Sequence, residues 1–185
     1  MKNPHEEALT PEELAIFTEL QDIKTVFDVG ARTSLDYLAI KPEAEYHLFE
    51  PAPKFYEWLL EECKNKPNVH VNCFGLGDIE GSFPYDEFVQ GFHGGKSDAR
   101  KTEVLYPVKT LDGYVREHNI GTIDFLKIDT EGYDAKVLHG GIKVLETVRY
   151  IQYEHWENLQ EFHSLLEGTF TMNYIGHRNV FCTRK

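Results

Sequence analysis

Short apolar runs alternate along this chain with segments of helical period, and this alternation constrains the fold more than any other feature. Five of the runs predict buried strands with an acidic residue at or just past the end. They span residues 25–29, 45–50, 69–74, 123–129 and 148–153. Strands that alternate with helices predict a mostly parallel sheet with helices on both faces.

Both ends of the chain add to this core. Thr10, Pro11 and Glu13 form a capping box with proline in the first turn, which predicts an N-terminal helix. Residues 170–175 and 180–183 predict a closing hairpin. The chain therefore predicts an α/β fold with a seven-stranded, mostly parallel sheet and a C-terminal antiparallel hairpin.

Composition excludes several classes of protein. The formal net charge of −12 over 185 residues argues against nucleic acid or an anionic membrane as a partner, because both require clustered cations. Cys63, Cys73 and Cys182 show no C-x-x-C spacing, which argues against a disulfide framework or a zinc site. No apolar run has the length of a membrane span or a signal-peptide core, so we expect a soluble, cytoplasmic protein.

The strand ends are where a ligand is expected, because open parallel sheets bind ligands beyond the carboxyl ends of their strands. Gly30 permits close approach of the backbone to a ligand. Glu50 can accept both hydroxyls of a ribose, and Asp78 can accept from an adenine amino group. Asp28 can pair with an ammonium group. These residue types predict a nucleoside ligand with a cationic tail.

Four segments resemble, in order and spacing, the motifs of FkbM-type O-methyltransferases. The most specific is IDFLKIDTEGYDAKVL at residues 123–138, and the others are VFDVGA at 26–31, FEP at 49–51 and GLGDIEG at 75–81. The resemblance implies a Rossmann-like methyltransferase fold with S-adenosylmethionine as the methyl donor. It also implies a small-molecule hydroxyl acceptor on a sugar, glycoside or natural product.

The resemblance also implies roles for individual residues. Asp28 and Gly30 would lie beside the methionine part of the donor, Glu50 would hold the ribose, and Asp78 would lie near the adenine. The full set of predicted cofactor-binding residues is Asp28, Gly30, Ala31, Arg32, Glu50, Pro51, Gly77, Asp78 and Asp129.

These assignments predict a single methyltransferase-like domain over residues 1–185. An N-terminal helix lies in residues 1–23, the cofactor-binding core in 24–155, and a C-terminal helix and hairpin in 156–185. The sequence is compatible with a monomer or a homodimer.

The first motif departs from the family pattern D-x-G-A-N-x-G, because Arg32 replaces the asparagine and Ser34 the second glycine. Two consequences are open. The Ser34 side chain crowds the donor and loses the easy access of glycine to positive φ. Alternatively, Arg32 binds the donor carboxylate through a charge-assisted contact.

Four polar residues at neighbouring strand ends are candidates for the chemistry. One of Asp129, Glu131 and His155 would act as general base toward the acceptor hydroxyl. Alternatively, Asp129, Glu131 and Glu154 would bind a divalent cation such as Mg²⁺ that lowers the pKa of the acceptor. A third interpretation has Glu131 stabilise the helix that follows it. Glu154 is also predicted to bind the acceptor.

A polar, glycine-rich loop at residues 90–100 is a candidate lid or acceptor-binding loop. Its Phe92 and His93 could stack on a sugar or an aromatic acceptor. Predicted added strands at residues 82–88 and 103–108 flank it.

Two rival functions share parts of this pattern. A nicotinamide-dependent dehydrogenase would need G-x-G-x-x-G, which residues 30–35 do not supply. A catalytically inactive, methyltransferase-like binding or regulatory protein is favoured by the altered first motif. The intact KIDTEGYD segment opposes it.

Overall fold

The elements of the fold alternate between strand and helix through most of the chain. The computed structural model describes residues 9–86, 91–92, 104–155, 159–176 and 178–185. The helices are α1 (Pro11–Glu19), α2 (Asp36–Ile40), α3 (Pro53–Cys63), α4 (Leu111–Glu117), α5 (Asp134–His139) and α6 (Leu159–Leu166). The strands are β1 (Thr25–Val29), β2 (Glu45–Phe49), β3 (Val69–Asn72), β4 (Gly75–Leu76), β5 (Gly81–Asp86), β6 (Gly91–Phe92), β7 (Val104–Lys109), β8 (Phe125–Ile128), β9 (Tyr150–Glu154), β10 (Phe170–Ile175) and β11 (Asn179–Arg184).

Seven strands form the main sheet, in the order β10-β11-β9-β8-β1-β2-β3. The five strands from β3 to β9 in this order are parallel, whereas β11 is antiparallel to both of its neighbours. The predicted seven-stranded α/β sheet with a closing hairpin is thus confirmed. The chain runs outward from β1 to β3 and then crosses back to β8, so the strand order reverses between β1 and β8. A crevice for ligands is expected at that reversal.

Helix α1 begins at the predicted capping box. The Thr10 hydroxyl accepts from the Glu13 backbone N–H at 3.3 Å, and the Glu13 carboxylate accepts from the Thr10 backbone N–H at 2.7 Å. The other Glu13 oxygen accepts from the side-chain amide of Gln152 on β9 at 2.6 Å. Phe17 is fully buried against the Phe125 ring of β8. The cap therefore also fixes α1 on the sheet.

The main sheet has an apolar core on each face. Helices α1 to α3 cover one face and helices α4 to α6 the other. Large side chains that are almost fully buried include Phe17, Phe27, Phe49, Leu59, Tyr114, Phe125 and Tyr153. Each such side chain contributes about 1.5–3 kcal/mol through removal of apolar surface from water. The five-residue helix α2 was not predicted. Among the described residues, no helix is long and apolar enough to cross a membrane.

A second sheet of four short strands, in the order β4-β7-β5-β6, accompanies the main sheet. The two predicted added strands are found here as β5 and β7. The third strand was predicted over residues 69–74, but β3 ends at Asn72, whose side-chain amide donates to the Leu48 carbonyl at 3.1 Å. The chain then enters the second sheet at Gly75. A Cβ on Gly75 would lie 2.3 Å from the Phe92 ring, so glycine permits this close packing.

Candidate active site

Two adjoining clefts open at the carboxyl ends of β1, β2 and β8. The larger encloses about 400 Å³ of empty space, part of it open to solvent. It is lined by Val29, Gly30, Arg32, Phe49, Glu50, Pro51, Gly75, Leu76, Tyr85, Gly91, Phe92, Asp129, Thr130 and Glu131. The smaller is lined by Leu9, Gly30, Ala31, Arg32, Thr33, Ser34, Lys127 and Asp129. Gly30, Arg32 and Asp129 line both. The clefts thus lie where the strand order reverses.

Gly30 fixes the first turn against both neighbouring strands. Its φ is +84°, and a Cβ there would lie 1.9 Å from the Asp129 carbonyl oxygen. Its N–H donates to the Phe49 carbonyl of β2 at 3.0 Å. A side chain at this position would force the ends of β1 and β8 apart.

Arg32 adopts the left-handed conformation, with φ +46°. Its backbone N–H donates to Glu50 Oε2 at 3.0 Å, which helps to hold this conformation. Its guanidinium lies 3.6 Å from Glu131 Oε1 and stands over the Phe55 ring at 5.8 Å. Asparagine tolerates left-handed φ better than arginine does. The altered first motif therefore keeps its turn, supported by contacts to three other elements.

Ser34 does not need the conformational freedom of glycine. Its backbone is not in the left-handed region. Its hydroxyl donates to Asp36 Oδ2 at 3.3 Å, just where α2 begins. The position where the backbone requires glycine is Gly30, not residue 34.

Glu50 is a buried acid whose two oxygens both accept from the backbone. Oε1 accepts from the Ala52 N–H at 2.8 Å and Oε2 from the Arg32 N–H at 3.0 Å. Burial raises the pKa of Glu50 to about 7, and these hydrogen bonds oppose that rise. Since each carboxylate oxygen has two lone pairs, Glu50 can still accept from a ligand in the larger cleft.

Lys127 organises the acids at the ends of β1 and β8. Its side chain is buried, and its ammonium lies 3.0 Å from Asp28 Oδ1 and 3.5 Å from Asp129 Oδ2. It also donates to the Gly30 carbonyl at 3.2 Å. Burial disfavours its charge, but the two carboxylates raise the pKa of Lys127 above its ordinary value. Burial raises the pKa of Asp28, although Lys127 opposes the rise.

In this arrangement Asp28 has a charged partner within the protein. The sequence predicted Asp28 as a partner for the ammonium of a ligand, but it lines neither cleft and already pairs with Lys127. Lys127 was not among the site residues predicted from the sequence. A lysine inside the apolar strand FLKI was the available signal, because a buried lysine requires a nearby acid.

The turn after β8 is built around a second buried acid, Asp134. Its Oδ2 accepts from the Thr130 hydroxyl at 2.8 Å and from the backbone N–H groups of Thr130 and Gly132 at 3.3 Å. Burial, together with the charge of Asp129, raises the pKa of Asp134 to about 7. Glu131 and Gly132 have φ of +56° and +96°. Asp134 thus fixes the turn that carries Glu131 to the cleft.

The structure brings together only part of the predicted catalytic group. Asp129 and Glu131 line the larger cleft, and the Asp129 side chain is 37% exposed. Glu154 and His155 line neither cleft. Glu154 Oε1 lies 3.8 Å from the Arg178 guanidinium, and the His155 N–H donates to the Arg178 carbonyl. Burial lowers the pKa of His155, and Arg178 adds to this effect.

The predicted cation ligands do not form one group. Within the described ranges, the only cluster of three histidine, cysteine or acidic side chains close enough to share an ion lies elsewhere, on β2 and β3. Asp129, Glu131 and Glu154 therefore do not fit a common Mg²⁺ ion in this structure.

The remaining predicted residues divide between the clefts and their surroundings. Pro51 and Phe92 line the larger cleft, and Ala31 lines the smaller. Gly77 and Asp78 line neither, and Asp78 Oδ2 lies 3.5 Å from the Lys136 ammonium. His93 lies outside the described residues. The apolar lining by Leu76 and Tyr85 was not predicted, because it depends on the second sheet.

Comparison with known proteins decides the family. Residues 28–175 match the methyltransferase FkbM domain. The chain belongs to the FkbM methyltransferase family. The resemblance of the four motifs is thereby confirmed.

A relative of this FkbM-family chain matches most of its length. It is 22% identical over 139 residues to the hexuronic acid methyltransferase AglP from Haloferax volcanii, covering 74% of this chain and 57% of AglP. It thus spans little more than half the length of that relative.

Solved structures share the fold. A Streptococcus mutans protein in complex with SAH has a TM-score of 0.59 at 13% identity and covers 96% of this chain and 99% of its own. An rRNA methylase from Streptococcus thermophilus has a TM-score of 0.55 at 14% identity, with 94% of each chain covered. At such identities these likenesses concern the Rossmann-like fold alone.

Proposed function

We propose that this chain transfers a methyl group from S-adenosylmethionine to a hydroxyl group of a sugar, glycoside or small natural product. The observation that carries the proposal is the convergence of Gly30, Glu50 and Asp129 on adjoining clefts at the strand-order reversal. Membership of the FkbM family and the AglP relative support the reaction type and the sugar-like acceptor.

The donor is assigned across the two clefts. Glu50 accepts from the ribose hydroxyls, and the apolar lining by Leu76 and Phe92 receives the adenine. The methionine part lies along the first turn in the smaller cleft, where the cations of Arg32 and Lys127 face its carboxylate. This placement replaces Asp28 with Asp129 as the group nearest the donor ammonium. Contacts of Gly77 and Asp78 with the adenine remain a prediction.

Asp129 is the proposed general base. Methyl transfer is an in-line displacement: the acceptor oxygen forms a bond to the methyl carbon as the bond from carbon to the sulfonium sulfur breaks. The acceptor proton passes to the Asp129 carboxylate, and the products are a methyl ether and S-adenosylhomocysteine. Asp129 fits this role because it lines both clefts and is partly open to solvent. Glu131 is paired with Arg32, and His155 lies away from the clefts. No step is assigned to a cation.

The test begins with calorimetric titration of S-adenosylmethionine and S-adenosylhomocysteine, with and without Mg²⁺. We expect micromolar binding that does not change with Mg²⁺. Glu50→Gln should weaken it, because the amide offers only one acceptor oxygen, whereas Glu57→Gln on the exposed face of α3 should not.

Binding would then justify an acceptor screen that includes glycosides of hexuronic acids and of neutral hexoses. An absence of binding up to millimolar concentrations would contradict the proposal. It would favour the alternative of a methyltransferase-like binding or regulatory protein.

A further inference from the structure

A cluster of metal-ligand side chains lies at the edge of the main sheet, on the strands farthest from β10. His47 of β2 and His70 of β3 are paired in the strand register. Glu45 lies two residues before His47 and therefore on the same face of β2. His47 is three residues before Glu50, which is roughly 10 Å along the strand. The cluster is therefore separate from the two clefts.

The distances within the cluster match those that one cation requires. Glu45 Oε1 lies 3.1 Å from His70 Nε2 and 3.7 Å from His47 Nε2. All three ligand atoms lie within 4.8 Å of one another. A tetrahedral Zn²⁺ ion bound at about 2.0–2.1 Å holds its ligand atoms about 3.3–3.4 Å apart. The two distances from Glu45 lie within a few tenths of an ångström of this geometry, and the two imidazole ligand atoms lie within 4.8 Å of each other.

His47 supplies the independent observation. The residue is only 3% exposed, and its Nε2 has no hydrogen-bond partner. Its other ring nitrogen, Nδ1, lies 2.9 Å from the Tyr114 hydroxyl. Histidines that bind metals use one nitrogen for the ion and the other for a hydrogen bond that fixes the ring. The Tyr114 hydroxyl stands where that second contact is expected.

The unpartnered nitrogen faces an acid rather than a donor. A buried nitrogen without a hydrogen-bond partner, facing a carboxylate oxygen at 3.7 Å, leaves a place that a cation fills well.

We propose that Glu45, His47 and His70 bind a Zn²⁺ ion that ties the edge strand β3 to β2. Two imidazoles and one carboxylate suit zinc, whereas Mg²⁺ and Ca²⁺ prefer oxygen ligands. His70 stacks on His47 with ring centroids 4.7 Å apart, and because an imidazole binds an ion in the plane of its ring, binding requires the exposed His70 ring to turn its Nε2 toward the ion. Water occupies the fourth position, since Glu45 and His70 are about half exposed.

The role follows from the position of β3. This strand is an edge of the sheet and pairs only with β2 there. A cation held by side chains of both strands fastens this edge without touching the donor site. The cysteine spacing argued against a zinc site, but the proposed ligands are not cysteines. No local signal in the sequence indicated them either, since 22 residues separate His47 from His70.

Zn²⁺ titration of the full chain against a chromophoric chelator tests the proposal. Three variants accompany the unaltered protein: His70→Gln, Glu45→Gln and the control His139→Gln. The control removes a histidine that also pairs with a carboxylate, at 2.9 Å from Glu161, but has no third ligand. We expect one tightly bound equivalent in the unaltered protein and the control, and affinity at least about tenfold lower in both cluster variants.

Two further readouts separate this site from adventitious binding. Co²⁺ should give the visible absorption of a tetrahedral site, and Zn²⁺ should raise the melting temperature. Both effects should disappear in His70→Gln and remain in His139→Gln. Equal affinity in all four proteins, or no tight equivalent in the unaltered protein, would overturn the proposal and leave Glu45 and His70 as a simple ion pair.

Discussion

The ends of β8 and β9 carry similar residues but have very different surroundings. These two strands are adjacent and parallel. Asp129 and Glu131 follow β8, whereas β9 ends at Glu154 and His155 follows it. After β8 the chain makes a left-handed turn through Glu131 and borders the cleft. After β9 it is held to the hairpin by Arg178, through Glu154 on one side and the His155 N–H on the other.

Asp134 accounts for the difference. Its buried carboxylate accepts three hydrogen bonds from the turn after β8, and this turn faces Gly30. An acid at a strand end therefore lines the cleft when the turn that follows it is held in place by a hydrogen-bond acceptor, as Asp134 holds the turn after β8. Position at the end of a parallel strand is not sufficient.

The largest effect is expected from Gly30→Ala, which disrupts the contact between the ends of β1 and β8. The new Cβ would meet the Asp129 carbonyl at 1.9 Å in a left-handed backbone. We expect a loss of more than about 3 kcal/mol in the free energy of unfolding, measured by chemical denaturation. Gly121→Ala is the matched control, since its Cβ meets no atom within 4 Å. Similar losses in both variants would contradict the close contact between the two strand ends.

A pair of isosteric variants compares the two strand ends directly. Asp129→Asn should lower the methyl-transfer rate by about 10²–10⁴-fold, because the general base is removed. Glu154→Gln should leave the rate near that of the unaltered protein. Because Asp129 is also placed beside the donor ammonium, calorimetry with S-adenosylhomocysteine measures the loss of affinity in each variant, and the rates are compared at saturating donor. A larger loss of rate in Glu154→Gln would move the chemistry to the end of β9.

The smallest effect concerns the pH dependence of stability. The pKa of Asp134 is raised from 3.8 to about 7 by burial, so the folded state binds its proton more tightly than the unfolded chain. Stability from this group is present at acidic pH and is lost as pH rises toward 7. Asp134→Asn cannot ionise, so its melting temperature should fall less between pH 4 and 7 than that of the unaltered protein.

Asp124 provides a control of opposite sign. Burial opposes its ionisation, but Arg149 and two backbone N–H groups lower its pKa below the ordinary value. Its contribution is therefore present at neutral pH and is lost as pH falls. Asp124→Asn should remove part of the loss of stability in acid. If Asp134→Asn leaves the change of melting temperature between pH 4 and 7 unaltered, burial does not raise the pKa of Asp134.

Local rules were sufficient to predict most of the elements. The capping box of Thr10 and Glu13 forms as predicted, because the residues of a helix cap are close in sequence. Apolar runs identified all seven strands of the main sheet. The end of β3 was placed too late, since the departure at Gly75 depends on packing against Phe92 from a different segment.

The candidate site was predicted less completely because its geometry depends on packing between distant segments. The strand ends indicated Glu50, Asp129 and Glu131, and all three line the larger cleft. They did not indicate that Lys127 would pair with Asp28, since that contact joins residues 99 positions apart.

The Asp28–Lys127–Asp129 cluster has a consequence for turnover. One ammonium between two carboxylates leaves a formal charge of −1 at the turn beside the clefts. Under the proposed function the incoming donor carries a positive sulfur, and the spent product does not. The part of the electrostatic attraction that comes from the sulfonium is therefore lost on transfer, so the reaction itself weakens binding of the by-product and favours product release.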